Sequence, residues 1–301
     1  MKIIKFQDDR QRRYVFPRPP QRIVSLVPSD TYSVIRLGAK DKLVGRTKYC
    51  IAPSEDVADI AIVGGTKDVD VDAVIALEPD LVIANQEENT RSQIEKLDSA
   101  GIAVLVSFPK RFAEGIAHLA RLAIALGISD QPVAKSLVSA AYNAHREAEK
   151  HRQENTPVRA FVPIWMDPLM TVHEATFISD TLDLVGGQNI FADRPRRYPL
   201  AADLGKAPPL PPERVGSRDT RYPRVTLEEV VARQPDVVIL PDEPHAFSEA
   251  DAEVFRKLDI PAAKNGRVIF CDGKDLMWYG AREIEGLDRL RRLVLGTAAK
   301  S

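Results

Sequence analysis

Cysteine is nearly absent: Cys50 and Cys271 are the only two, most of the chain apart. That excludes a disulfide framework and any CxxC metal or redox site, and leaves at most one long-range bridge. An excess of charge of one sign is also missing. With 42 Lys and Arg against 43 Asp and Glu, the net charge is −1, and nothing in it points to a nucleic-acid partner. No apolar run approaches the roughly 20 residues of a membrane span. Aromatic residues make up only 6% of the chain. Enzyme signatures are missing too: no GxxxxGK[ST] phosphate loop, no HExxH, no GxSxG elbow and no dinucleotide fingerprint around Gly64-Gly65 or Gly186-Gly187. What is present is ordinary globular composition, 44% hydrophobic and 28% charged over 301 residues, enough for about two domains.

The amino terminus begins Met-Lys-Ile-Ile-Lys-Phe, with charges where a secretory signal needs an apolar run of about 7–15 residues. Lys2 to Tyr14 reads instead as an edge hairpin, with Ile3, Ile4, Phe6, Tyr14, Val15 and Phe16 as its apolar positions. The expected location is cytoplasmic as the sequence stands, and periplasmic or surface-anchored if a signal segment has been removed.

Further along, helical stretches alternate with short apolar runs. Val71–Leu77 is followed by Glu78-Pro79-Asp80 and then Leu81-Val82-Ile83-Ala84, a helix stopped by proline and a strand buried on both faces. Ile23–Val27 and Val104–Val106 are two more buried strands, and Phe112–Leu126 has the spacing of an amphipathic helix closed by Gly127. A second copy of the plan follows. Val69–Asn85, VDVDAVIALEPDLVIAN, aligns without gaps to Val225–Pro241, VTLEEVVARQPDVVILP, which places Asp72 opposite Glu228. Gly38 has a counterpart in Gly186. Between the copies, Asp130 to Thr156 predicts one long helix of about 22–25 residues, spanning roughly 33–38 Å. The expected fold is therefore α/β: two Rossmann-like lobes with mostly parallel sheets, residues 1–128 and 157–301, joined by the helical segment 129–156, with a ligand cleft between them. Arg194–Arg224, rich in proline and arginine, reads as a long loop at the mouth of the second lobe.

Ligands of open α/β sheets bind outside the carboxyl ends of the strands. In the first lobe those loops hold Pro28-Ser29-Asp30, Lys48-Tyr49-Cys50, Gly64-Gly65-Thr66-Lys67, Asn85–Asn89 and Phe108-Pro109. In the second they hold Trp165–Met170, His173, Tyr222, Pro241–His245 and Trp278–Arg282. The few aromatics concentrate there: Tyr49, Phe108, Trp165, Tyr222, Trp278 and Tyr279 are walls for a large flat ligand, or caps on the core where strands enter loops. His118, His145 and His151 fall in helices and read as surface or core-edge residues. His173, in a loop, is either solvated or a ligand to metal. Cys50 reads as a packed thiol in preference to a soft metal ligand. Glu87-Glu88 and Arg194-Pro-Arg196-Arg197 read as solvated surface, whereas Arg282, after Gly280, could meet a carboxylate or phosphate with its planar fork.

An ordered set of segments resembles the helical-backbone metal-chelate receptors, the binding proteins of cobalamin, haem and ferric-siderophore ABC importers. These are Arg22-Ile-Val-Ser-Leu-Val-Pro-Ser29, Leu37-Gly38-Ala39, Val44-Gly45, Tyr49-Cys50, Val63-Gly-Gly65, Leu77-Glu-Pro-Asp-Leu-Val82, Gly186-Gly-Gln-Asn-Ile-Phe191, Pro235-Asp-Val-Val-Ile239 and Asn265-Gly-Arg-Val268. The resemblance runs from about Arg22 to Leu295. It implies a non-catalytic, monomeric binder without membrane span or nucleic-acid partner, whose ligand is a metal chelate and which needs no catalytic cofactor. It also implies docking of Asp72 and Glu228 onto basic pockets of a permease dimer, although acids at a helix start are favoured by its dipole in any case. The cobalamin binders look most similar, through Lys48-Tyr49-Cys50 and Tyr222-Pro223. Thr66 and Met170 stand where such binders can carry tryptophan and phenylalanine, and the Arg194–Arg224 segment is longer than usual.

The residues implied at the ligand are Pro28, Ser29, Tyr49, Cys50, Thr66, Lys67, Glu87, Phe108, Trp165, Met170, His173, Tyr222, Trp278, Tyr279 and Arg282, with His173 the one metal-ligand candidate. A corrinoid is the expected ligand. Haem, a ferric siderophore, or a cytoplasmic cofactor-handling accessory or enzyme using the same loops are the alternatives.

Overall fold

The structure is a computed structural model that describes residues 3–297. The chain opens with a hairpin, β1 (Ile4–Gln7) against β2 (Arg13–Phe16). Its rings stack, Phe6 lying 4.9 Å from Tyr14 and 5.9 Å from Phe16. The hairpin forms its own two-stranded sheet and extends no larger one. Of the residues read as belonging to it, Lys2 lies outside the described residues.

Five parallel strands follow: β3 (Ile23–Ser25), β4 (Leu43–Arg46), β5 (Ala61–Ile62), β6 (Leu81–Asn85) and β7 (Val104–Ser107), in the order β5-β4-β3-β6-β7. The chain winds outward from β3 in one direction and then returns to β6 and β7, so the order reverses between β3 and β6. Val24, Leu26, Val82, Ala84, Val104 and Val106 pack with Val74 and Leu97 of the covering helices. Strands buried on both faces explain why these runs are continuously apolar rather than alternating.

The second unit has β8 (Val158–Phe161), then a separate two-stranded hairpin of β9 (Trp165–Met166) and β10 (Leu169–Met170), then β11 (Gly187–Asn189), β12 (Val237–Pro241) and β13 (Val268–Cys271); β8 and β11–β13 form one sheet. Its four parallel strands run β11-β8-β12-β13, with the reversal between β8 and β12. Phe161 centres its core, with the rings of Phe191 and Phe255 at 5.4 and 5.9 Å.

The internal repeat is reproduced in detail. Helices Val71–Ala76 and Leu227–Arg233 start at matching positions, each behind a cap: Asp70 accepts from the Ala73 N–H, and Thr226 forms a capping box with Glu229. Each is followed by a non-glycine residue in left-handed conformation, Glu78 at φ 46° and Gln234 at φ 44°. An arginine braces each turn. The Arg22 guanidinium donates to the carbonyls of Leu77 and Glu78, while that of Arg159 donates to those of Arg233 and Gln234. Asp80 and Asp236 complete each joint by accepting the backbone N–H of the same arginine. Gly38 and Gly186 close their helices at φ 82° and 92°.

The predicted long helix is Pro132–Glu154, 23 residues and about 35 Å. Two compact units divide the chain. Among the described residues, the first holds 3–109, Ala113–Ala144 and Trp278–Ile284; the second holds Lys110–Phe112, His145–Met277 and 285–297. The long helix is thus shared between the units, and Trp278–Arg282, placed by chain order in the second lobe, packs with the first. Two contacts account for this. The Ala281 N–H donates to Ser33 Oγ at 3.1 Å, and Gly280, at φ 86°, comes so near that a Cβ there would lie 2.5 Å from the same oxygen.

The Arg194–Arg224 segment also differs from a plain solvated loop. It contains two helical turns, Leu200–Asp203 and Pro212–Val215, and Arg194 is 2% exposed. The guanidinium of Arg194 meets Asp203 Oδ1 at 2.9 Å and Glu229 Oε1 at 3.1 Å, and donates to the carbonyls of Pro195, Asp203 and Arg224. Asp203 in turn accepts the N–H groups of Arg197 and Arg224. This pair clips both ends of the segment together, so Arg194 is an interior residue.

Candidate functional site

In the first unit the candidate residues line the carboxyl edge of the sheet, where loops are free to vary above a fixed scaffold. Pro28 opens the helix Pro28–Arg36, whose fixed φ suits its first turn, and Ser29 behind it is buried. Tyr49 projects from the loop after β4, 52% exposed, with the Lys48 ammonium 5.3 Å from its ring centroid. Lys48 also pairs with Asp68 at 3.4 Å and its N–H donates to Gly64, joining the loops after β4 and β5. Cys50, the next residue, is fully buried, its Sγ 3.2 Å from Thr47 Oγ1. Burial pushes its thiol up from the ordinary range, against the opposing hydrogen bonds of Thr31 and Thr47.

The Asn89 amide donates to the carbonyls of Thr66 and Leu26, so one side chain ties the loops after β3, β5 and β6. Thr66 is buried, Lys67 Nζ donates to the Glu87 carbonyl, and the Glu87 N–H donates to Asn85 Oδ1 at 2.7 Å. Phe108 is fixed through its N–H, which donates to Asp9 Oδ2 at 2.7 Å. Burial pushes the Asp9 carboxyl up, but Arg121 and this N–H outweigh it and hold the group below its usual range.

Below this rim lies a polar centre that the sequence did not disclose as a group. Asp30, 0% exposed, uses both oxygens: Oδ1 accepts from His118 Nε2 at 2.9 Å and Oδ2 from the Tyr279 hydroxyl at 3.0 Å. The same hydroxyl accepts from Asn85 Nδ2 at 3.1 Å and lies 2.9 Å from Ser107 Oγ. His118 is therefore interior, 1% exposed, rather than at the surface or core edge. Burial and the nearby Asp30 push the Tyr279 phenol well up. Trp278 is 6% exposed, edge-on to Tyr32 at 6.2 Å. Arg282 follows, half-buried, at the start of the helix Ala281–Leu295. Trp278 and Tyr279 thus pack inside the first unit, where they hold up the loops rather than face outward.

In the second unit four candidates are brought together. Trp165 of β9 is paired directly with Met170 of β10, and Met170 with Arg224 across an isolated antiparallel bridge. Directly opposed residues share a face, so Trp165, Met170 and Arg224 form one row. The backbone continues the pairing, with the Thr171 N–H donating to Pro223 and the His173 N–H to Arg221. Tyr222 lies between these, under the Arg221 guanidinium at 5.3 Å. Trp165 is 43% exposed, and its indole N–H donates to the Asp167 carbonyl. His245, from the loop after β12, lies 5.5 Å from its ring and 4.6 Å from Phe247. His245 was read only as part of a loop; the apolar run ending at Pro241 was its one signal. His173 Nδ1 accepts the Ala175 N–H at 3.2 Å, which occupies one of its two ring nitrogens. Among the described residues no group of three or more His, Cys, Asp or Glu gathers to hold a metal ion, and no helix is long and apolar enough to cross a membrane.

The model of a family described as periplasmic binding protein matches residues 23–274. The chain belongs to the periplasmic binding protein family. Among curated members, the vitamin B12-binding protein of Vibrio campbellii is 31% identical over 253 residues, covering 83% of this chain and 80% of that protein. That of Vibrio parahaemolyticus is 26% identical over 251 residues, with 83% and 80% covered. Of solved periplasmic binding proteins, the vitamin B12-binding protein of Vibrio cholerae shares the fold at a TM-score of 0.73 and 21% identity, covering 94% of this chain and 100% of that one. A haem-binding protein of Pseudomonas aeruginosa does so at 0.71 and 20%, covering 93% and 94%.

Asp72 and Glu228 are both exposed, each at the second residue of its helix. The Glu228 carboxyl is held below its usual range by the Thr226 hydroxyl and a backbone N–H.

Proposed function

We propose that this chain is a non-catalytic substrate-binding protein for a metal chelate of the corrinoid class, which it delivers to an ABC permease dimer. The observation that carries the reading is the row of Trp165, Met170 and Arg224 beside Tyr222, an apolar wall with a cationic end, suited to a flat macrocycle with polar substituents. The similarity to curated vitamin B12-binding proteins favours a corrinoid over the other chelates.

Native mass spectrometry with cobalamin, cobinamide, haem and a ferric siderophore tests the reading. Retention of a corrinoid supports it, retention of haem or siderophore replaces the ligand, and turnover of any of them would move the chain to the enzymes. Trp165→Ala should weaken binding of the retained chelate by about 1–2 kcal/mol, roughly 5–30-fold, by calorimetric titration. Unchanged affinity would remove this row from the site.

Docking rests on Asp72 and Glu228. Charge reversal of both to lysine should abolish pull-down of the permease while leaving chelate affinity unaltered; retained pull-down would place the docking surface elsewhere. Cell fractionation distinguishes an exported receptor from a cytoplasmic carrier.

A further inference from the structure

Residues 194–224 hold eight basic and three acidic side chains, in a chain whose net charge is −1. Two of the acids are already engaged, Asp203 by Arg194 and Asp219 by Arg221 at 2.6 Å. The arginines that remain are held in fixed positions. Arg196 and Arg218 lie over one ring, that of Tyr198, at 4.6 and 5.5 Å from its centroid. The Tyr198 hydroxyl is anchored by donating to the Asp219 carbonyl at 2.7 Å. The backbone of Arg224 is fixed on both sides, its N–H on Asp203 and its carbonyl on Arg194. Its Nε and Nη1 are shielded from solvent and have no hydrogen-bond acceptor.

Shielded guanidinium nitrogens without an acceptor are costly, and neighbouring cations add to that cost. Burial and the charge of Arg196 both pull Arg224 below the ordinary arginine range. An anion set against the exposed parts of Arg196, Arg218 and Arg224 would offset the repulsion among these cations, because guanidinium groups match phosphate and carboxylate geometry. Arg224 also ends the row that begins with Trp165 and Met170.

We propose that Arg196, Arg218 and Arg224 form an anion subsite that binds a phosphate or carboxylate group carried by the ligand of Trp165, Met170 and Tyr222. The subsite rests on the chelate-binding reading and adds to it a specificity determinant: chelates with a peripheral anion are preferred over those without one. Phosphate and carboxylate share the chemistry and are separated by the choice of ligand. Cobalamin carries a phosphodiester that cobinamide lacks, and haem carries two carboxylates that its dimethyl ester lacks.

Calorimetric titration of the wild-type protein and R196Q/R224Q with these four chelates and with sodium pyrophosphate tests the proposal. The double variant should lose at least about tenfold more affinity for cobalamin or haem than for cobinamide or the dimethyl ester. A loss confined to cobalamin assigns phosphate, and one confined to haem assigns carboxylate. Equal affinities in wild type and variant, or an equal loss for the anionic and neutral members of a pair, overturn the subsite. If none of the four chelates binds wild type, the chelate reading fails, and pyrophosphate decides the subsite alone: binding that the variant loses supports it, and absence of binding overturns it. R196Q alone, at a half-buried side chain, carries the same comparison where the double variant does not fold.

Discussion

Replacing Arg194 by alanine should destabilise the second unit by about 3–5 kcal/mol, because it leaves Asp203 buried without its counter-charge. The change removes five donated bonds, three of them to backbone carbonyls that close the Arg194–Arg224 segment. Urea unfolding followed by Trp165 fluorescence in a Trp278→Phe background reports this unit, since the chain's other tryptophan belongs to the first. Apolar replacement of a buried ion pair is often harmless when both partners go. Here R194A/D203A should remain unstable, because the N–H groups of Arg197 and Arg224 lose the carboxylate that accepts them. An unchanged midpoint for R194A would show that the clip contributes nothing to stability.

Asp30→Ala should have a comparable effect on the first unit. His118 and the Tyr279 hydroxyl each lose a buried acceptor, at about 1–3 kcal/mol apiece, hence about 2–6 kcal/mol in total. Trp278 fluorescence in a Trp165→Phe background is the matching probe. Tyr279→Phe should cost less, because it deletes one hydroxyl from among Asp30, Asn85 and Ser107 and keeps the packing of the ring. If Asp30→Ala unfolds at the wild-type midpoint, the polar centre is not a source of stability.

Both lobes were legible because their signals are local. The Pro-Asp break after Val71–Leu77 and its copy after Leu227–Arg233 state where each helix ends, and the continuous valine and isoleucine runs state that the strands are buried on both faces. The Asp72 and Glu228 register follows from the same alignment. Tyr49, Thr66, Lys67 and Glu87 could be placed at the sheet edge because strand direction alone decides which loops gather there. Residues whose role depends on distant partners could not be read this way. Nothing near Arg194 reveals Asp203 and Glu229 as its counter-charges, so composition suggested a solvated surface. His118 lies on an amphipathic helix at an unremarkable position, and only the fold brings it to Asp30. Trp278–Arg282 was assigned by chain order, whereas its packing depends on Ser33 and Asn85, some two hundred residues earlier.

That last segment also bears on synthesis. A nascent chain emerges from its amino end, and domains ordinarily fold as they appear. The first unit cannot do so completely: Asp30, Asn85 and Ser107 are made early, yet the hydroxyl that joins them belongs to Tyr279, near the far end of the chain. Until translation reaches it, Asp30 has His118 alone of its two side-chain partners, and the last bond of the polar centre waits for nearly the whole chain to be made.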